Sequence, residues 1–342
     1  MRYRILYGVS IFVALIAVIS SVSDLFYKET AKATTKKDAI TSRPHYQISA
    51  DYNKQRNEIR GHVTVTLAEM RSEPQREVFF HLYPNAFKNW IYTKESKPTS
   101  PGYLNVSNIK VDGTLVKAKI QGTMMKVVLP KPIIQGQSAR IEMNCILQLP
   151  HGGTRLNQFK NTAFLAQWYP MLVVKDKEGW HKDPYTTVGD PFYTLMSDFD
   201  IKFRVPKGYK VITTGYDSKQ KWNRSTNMVH IQQENVRDFA AVLTKDYKVI
   251  RGNADDVQVN LWYVDGMEDV SKPLHEAAVS GMKFFGQHFG KYPYPEIDVV
   301  LGETGYGIAG MEYPGLVTSV CKVPSRLGTV PAVNVVVHEL AH

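Results

Sequence analysis

Val335-Val336-Val337-His338-Glu339-Leu340-Ala341-His342 are the last eight residues of a 342-residue sequence. The stretch reads His-Glu-x-x-His. On an α-helix, residues four apart are offset by about 40° and one turn, so His338 and His342 project from one face. Two neutral imidazole nitrogens placed this way can share one Zn²⁺. Glu339, beside the first ligand, can hold a water on the metal and accept its proton. Val333 to Val337, apolar except for Asn334, suits a helix buried beneath a cleft, and Thr329 followed by Pro331 suits its start. A buried helix whose histidines merely satisfy hydrogen bonds is the plainer alternative.

Just upstream, Gly305-Tyr306-Gly307-Ile308-Ala309-Gly310 matches G-x-G-x-x-G after a strand-like run, Ile297 to Leu301. A dinucleotide site needs a helix to begin there, with its N-terminus toward the pyrophosphate. Met311-Glu312-Tyr313-Pro314-Gly315 comes next instead, and Pro314 denies such a helix its course. The same residues suit a glycine-rich strand lining a cleft. Gly307 and Gly310 let a peptide approach the backbone, and an exposed strand edge can pair with an extended substrate. Glu312 is then either a fixed carboxylate for a cationic group or a solvated surface residue.

Before this region the pattern is helical. Pro273 opens a segment whose stripe is Leu274, Ala277, Ala278, Gly281, Phe284, Phe285, His288 and Phe289, closed by Gly290. His288 reads there as a packed core residue rather than a ligand. A second short strand is expected around Leu316 to Val320. From Tyr46 to about Ile250 the chain reads as strand after strand: Ile59, Val63, Val65 and Leu67 alternate, and Asp112-Gly113 is a hairpin turn signal. Val127 to Leu129, Ile201 to Val205 and Lys210 to Thr213 add short strands. No long segment of helical period interrupts them.

The chain opens with Met1-Arg2-Tyr3-Arg4 and the apolar run Ile5 to Val22, which reads as an uncleaved membrane anchor. Ser21-Val22-Ser23 also offers a signal-peptide cleavage site. Either reading leaves Arg2 and Arg4 in the cytoplasm and the remainder outside it, at the cell membrane or secreted. Lys28 to Pro44 reads as a flexible stalk. A hydrophobic share of 43% supports sizeable cores, and a charged share of 22% argues against general disorder. The net charge of +10 is carried by scattered lysines and arginines without a dense basic run. No nucleic-acid partner is therefore expected. Cys145 lies in the alternation Ile141, Met143, Cys145, Leu147, Leu149 and reads as a buried thiol. Whether it pairs with Cys321 stays open.

Ala309-Gly310-Met311-Glu312-Tyr313-Pro314-Gly315 and His338-Glu339-Leu340-Ala341-His342 together resemble the M1 (gluzincin) zinc aminopeptidases, whose strand motif is G-x-M-E-N. Trp168-Tyr169-Pro170-Met171, Gly189-Asp190-Pro191-Phe192-Tyr193, Val205-Pro206-Lys207-Gly208-Tyr209, Val236-Arg237-Asp238-Phe239-Ala240 and Phe289-Gly290-Lys291-Tyr292-Pro293-Tyr294-Pro295 look like further landmarks of that family. The resemblance covers Tyr46 to His342 and implies a multidomain chain. Residues 1–27 would be the anchor or signal, 28–44 the linker and 45–252 an all-β domain, saddle- or sandwich-like. Residues 253–342 would be the first part of an α+β thermolysin-like zincin catalytic domain.

The resemblance further implies peptide substrates with a free N-terminus and one Zn²⁺. His338 and His342 would be its ligands, and Glu339 the general base that polarises a zinc-bound water. Glu312 would hold the substrate's α-amino group, with the backbone of Ala309, Gly310 and Met311 aligning the peptide. Ala309 and Tyr313 depart from the family's usual glycine and asparagine. A substrate-facing glutamine of the β domain has no clear match, with Gln158 and Gln167 both near. The family's third zinc ligand, a glutamate about eighteen residues past the second histidine, and its oxyanion-stabilising tyrosine lie beyond His342. The chain as given is therefore expected to be a truncated member, inactive or weakly active alone. The competing expectation is a non-catalytic envelope protein that binds peptides or a partner and keeps a vestigial zinc helix.

Overall fold

The structure is a computed structural model that describes residues 43–69, 73–92, 97–152, 155–187, 189, 191–222, 225–302, 309–319 and 328–342. Residues 42–342 form one compact unit. The apolar run Ile5 to Val22, the stalk up to Thr41, Gly305 to Ile308 and Cys321 lie outside the described residues. Among those described, no helix is long and apolar enough to cross a membrane.

The first two hundred described residues contain no α-helix, only a short 3-10 turn at Tyr83–Phe87. The largest sheet has eight strands, in the order 216–222, 226–236, 197–206, 45–53, 58–68, 138–148, 103–111, 114–115. Neighbours run antiparallel except 45–53 and 197–206, which run parallel. Period-two patterning explains its one-sidedness. Tyr46, Ile48, Ala50 and Tyr52 point into the core while the alternate residues Gln47, Ser49 and Asp51 are exposed. Ile141, Met143, Cys145 and Leu147 do the same from 138–148, and Cys145 is a free buried thiol whose pKa burial pushes up to about 12. The Asp112-Gly113 hairpin forms as expected, both residues at positive φ (+48° and +79°) between the paired Val111 and Thr114.

Two four-stranded sheets cover that apolar face. One is ordered 171–172, 75–81, 124–133, 118–121 and the other 210–213, 241–244, 162–165, 157–159. The second is buried on both sides. Ala163, Leu165, Ala241 and Leu243 join the β-domain core, whereas Phe164, Ala166, Ala240 and Val242 turn the other way, onto Val300, Met311, Tyr313 and Leu316. That is why Thr162–Leu165 and Ala241–Thr244 are buried throughout instead of alternating. This small sheet is the layer joining the β-rich part to the C-terminal α/β part.

The C-terminal part is a five-stranded sheet ordered 248–254, 257–263, 296–301, 316–319, 310–313, with helices α1 (Glu268–Phe289) and α2 (Val330–Ala341). Val259, Leu261, Val299 and Leu301 are fully buried against Leu274 and Ala278 of α1 and Val336 of α2, each contributing roughly 1.5–3 kcal/mol. The edge strand 310–313 turns back through Pro314-Gly315 onto 316–319. Gly315 has φ +70°, and a Cβ there would stand 2.5 Å from the carbonyl oxygen of Thr214, so both backbone and space call for glycine.

Helix α1 begins five residues before the expected Pro273, at Glu268. Glu268 and Asp269 fill its first turn, the Gly266 N–H donates to Glu268 Oε2 at 2.8 Å, and the Ser271 hydroxyl donates to Glu268 O at 2.9 Å. Pro273 is accommodated inside at the cost of one backbone hydrogen bond. The buried stripe is Ser271, Leu274, His275, Ala278 and Met282, so the expected continuation through Phe284 and Phe289 is corrected. Phe289 is 82% exposed. His288 is exposed rather than core, stacked on Phe284 with 4.0 Å between centroids, its Nδ1 2.8 Å from Phe284 O.

Candidate active site

The site is assembled by two neighbouring elements and one distant loop. Helix α2 starts where expected, after Thr329 with Pro331 in its first turn, and the Val333 N–H donates to Thr329 O at 3.0 Å. Ala332, Val336 and Leu340 anchor its buried face. Two residues on from each of these, about 200° round and so nearly on the opposite side, come Asn334, His338 and His342, spaced about one turn apart. The edge strand lies alongside. Its Met311 and Tyr313 are buried in the interlayer core, which leaves Gly310 and Glu312 on the opposite side.

Between helix and strand opens a cleft of about 490 Å³ lined by Arg155, Ala309, Gly310, Met311, Glu312, Asn334, Val335, His338, Glu339 and His342. All seven residues singled out in the sequence line this one cavity. His338 and His342 are exposed to it, their Nε2 atoms 3.2 Å apart and their rings at 78°. Zinc–nitrogen bonds of about 2.0–2.1 Å at a tetrahedral angle put two nitrogens about 3.3 Å apart, so the pair fits two corners of such a site. Among the described residues no group of three or more His, Cys, Asp or Glu gathers to hold a metal. Among the described residues, His338 and His342 are the pair that could offer nitrogen donors to an ion.

Glu339 is only 8% exposed and lies against the backbone of Gly310. A Cβ at Gly310 would stand 2.5 Å from Glu339 Cγ and Oε1 and 2.7 Å from Cδ. The bare glycine is what lets the carboxylate sit beside the strand. Glu312, one residue from Met311, is half-buried at the same wall.

Three further residues complete the lining: Val335, Asn334 and Arg155. Asn334 is legible as the position one turn before His338 on the same helical face. Arg155 is not, because its loop precedes the strand Asn157–Phe159 and is far away in sequence. Its guanidinium lies over the Phe192 ring, 4.9 Å from the centroid. Behind this wall, Gln167 Nε2 donates to Asp238 Oδ2 at 3.0 Å, while Asp238 Oδ1 is buried with no hydrogen-bond partner among the described residues. Burial pushes Asp238 up to about 6, opposed by the Gln167 bond and the charges of Arg237 and Arg155 and reinforced by Glu312. Gln167 holds a left-handed backbone at φ +48° to make this bond. Gln158 is buried and donates to Lys160 O. Neither glutamine lines the cleft.

No protein-family model matches the sequence, and no curated protein matches it. Solved structures do. The M1 zinc metallopeptidase of Deinococcus radiodurans superposes with a TM-score of 0.62 at 16% identity, over 88% of this chain and 63% of its own. The fold is M1-like. A mutant of the same enzyme bound to a Tyr-Ser-Ala substrate gives a TM-score of 0.60 at 14% identity, over 87% of this chain and 64% of that one. A two-domain M1 zinc metallopeptidase mutant bound to L-tryptophan gives 0.60 at 14% identity, over 87% and 65%. The chain thus spans slightly under two thirds of these neighbours. In fold, its β-rich part resembles the N-terminal β domain of M1 peptidases.

Proposed function

We propose that this chain carries the cleft of a zinc-dependent aminopeptidase, which removes single residues from the free N-terminus of peptides. The observation that supports this reading best is the convergence of a His-Glu-x-x-His helix and an edge strand bearing Glu312 on one cavity. His338 and His342 would hold the zinc ion through Nε2. When bound, the metal supplies Lewis acidity that polarises a carbonyl and lowers the pKa of water.

The chain's own residues divide the remaining work. Glu339, shielded against Gly310, is the general base and returns the proton to the leaving amine. Glu312 accepts hydrogen bonds from the substrate's ammonium group, fixing the chain end one residue from the reacting carbonyl. A charge-assisted bond of this kind separates an exopeptidase from an endopeptidase. The exposed edge of strand 310–313 offers backbone groups to an extended peptide. The apolar run Ile5 to Val22 supports a location at the cell membrane, with the cleft outside the cytoplasm.

The test is a comparison of peptides with free and N-acetylated ends. Full-length, zinc-loaded protein that carries a third zinc ligand should release the first residue only from free ends, and Glu312→Ala in it should lose about a hundredfold in kcat/KM. Equal cleavage of both peptide classes, or an unaffected Glu312→Ala variant, would exclude the amine anchor. A cleft that binds free-ended peptides tightly and releases no product from them would favour the non-catalytic alternative.

A further inference from the structure

We propose that the hairpins between Lys110 and Gln135 form a membrane-contact patch, which lays lysines and aliphatic side chains on an anionic lipid surface. The inference lies outside the cleft and stands whether or not the aminopeptidase reading does.

Over residues 110–135 the sequence carries five lysines, Lys110, Lys117, Lys119, Lys126 and Lys131, against one acidic residue, Asp112. The lysines are spread along the chain, and the sheets gather them. Strand 118–121 is the edge of its sheet and pairs with Met124 to Val127, which sets Lys119 directly opposite Lys126. Lys126 is neutralised by Glu77, but Lys117, Lys119 and Lys131 are exposed and have no ion pair among the described residues. Beyond Val127 the strand 124–133 bulges. Its pairing jumps from Val128–Glu77 to Ile133–Gln75, so the four residues Leu129 to Pro132 stand opposite Arg76 alone. Val128 and Ile133 thus lie only two partner residues apart, roughly 7 Å along that strand, with Lys131 on the bulge between them.

Around these cations Leu115, Ile120, Val128 and Ile134 are 67%, 45%, 56% and 48% exposed. Lysine and proline at a sheet edge guard against edge-to-edge pairing, which accounts for part of the composition. It does not account for four exposed aliphatic side chains in one set of hairpins, because single apolar residues on a surface are ordinary and a cluster is not. Cations beside aliphatic side chains match the headgroup layer of an anionic bilayer, where the charges meet phosphate and the side chains reach the acyl boundary. Each lysine near such a surface strengthens the attraction about fivefold, so the three without an ion pair supply roughly a hundredfold.

An environment-sensitive fluorophore on Ile120→Cys or Val128→Cys, in the full chain with Cys321→Ser, reads the contact. The readout is local because the Ile5 to Val22 run is expected to hold the chain on any bilayer. Cys145 is buried with its thiol pKa pushed up to about 12, so it takes no label. Emission should shift to the blue on vesicles of mixed phosphatidylcholine and phosphatidylglycerol and not on phosphatidylcholine alone. The same label on Phe289→Cys, an exposed apolar site of α1, should stay unchanged on both. Lys117→Glu, Lys119→Glu and Lys131→Glu together should abolish the shift. High salt should abolish it in the unsubstituted patch, a check that does not depend on how the triple variant folds. A shift of equal size on both vesicle types, a shift at all three labels, or no shift on either vesicle overturns the inference. Labels that respond to soluble poly-Glu and stay silent on both vesicles overturn it too, and assign the patch to an acidic protein instead.

Discussion

Adding one methyl group to Gly310 tests the geometry of the site directly. The new Cβ would stand 2.5 Å from Glu339 Cγ and Oε1 and 2.7 Å from Cδ, where carbon atoms in contact keep about 3.5–4.0 Å. Glu339 must then retreat by about 1 Å, or the strand must shift away from α2. Overpacking of this kind costs about 1–3 kcal/mol of stability. Gly310 has no positive φ, so alanine there meets no backbone strain, and by restricting the unfolded chain it would otherwise stabilise by about 0.4–1 kcal/mol. The two effects can be separated by a double-mutant cycle read in urea unfolding. Gly310→Ala should destabilise the wild-type background by about 1–3 kcal/mol. It should be neutral or stabilising in a Glu339→Ala background, where the clashing atoms are gone. An equal penalty in both backgrounds would refute the packing of Glu339 on Gly310. In active protein the same displacement should lower kcat/KM about a hundredfold, since a misplacement of roughly 1 Å costs that much.

The histidine pair and the buried aspartate behind the cleft give further measurable outcomes. His338→Ala or His342→Ala should weaken zinc binding, read by competition with a chromophoric chelator, because one imidazole of the pair is lost; an affinity unchanged in either variant would contradict the pairing. Asp238, raised to about 6 mainly by burial, makes folding pH-dependent. A raised acid contributes stability that is complete below its unfolded pKa and is lost as pH rises through about 6, a swing on the order of 3 kcal/mol for about two units. Asp238→Asn keeps an acceptor for Gln167 and should flatten the stability profile between pH 4 and about 7.5; a difference from wild type that does not vary with pH would rule this out.

The His-Glu-x-x-His helix and the edge strand are legible in the sequence because their signals are local. His338 and His342 are four apart, and Met311 and Tyr313 alternate with Gly310 and Glu312, so periodicity alone assigns their faces. The Asp112-Gly113 turn is legible for the same reason. Other features depend on contacts that no local window contains. Arg155 reaches the cleft through the three-sheet stacking of the β-rich part, and its loop carries no motif. The N-terminus of α1 escapes a sequence reading because a proline inside a helix resembles a proline at its start, and only the bonds to Glu268 decide between them. His288 and Phe289 continue an apolar period but face outward, since the burial of a stripe depends on what lies opposite it.

The twelve-residue stretch Val330–Ala341 carries His338, and His342 is its C-cap. In water a helix of that length is marginal by itself, and most of its stability comes from the sheet beneath Val336 and Leu340. In an extended chain the two histidines are spread along the backbone and share no ion. On the proposed reading, metal capture would wait until the layers have docked. The newly made chain would be spared ligation by whichever metal it meets first, and uptake of the ion would become a direct signal that this sheet and its helix have come together.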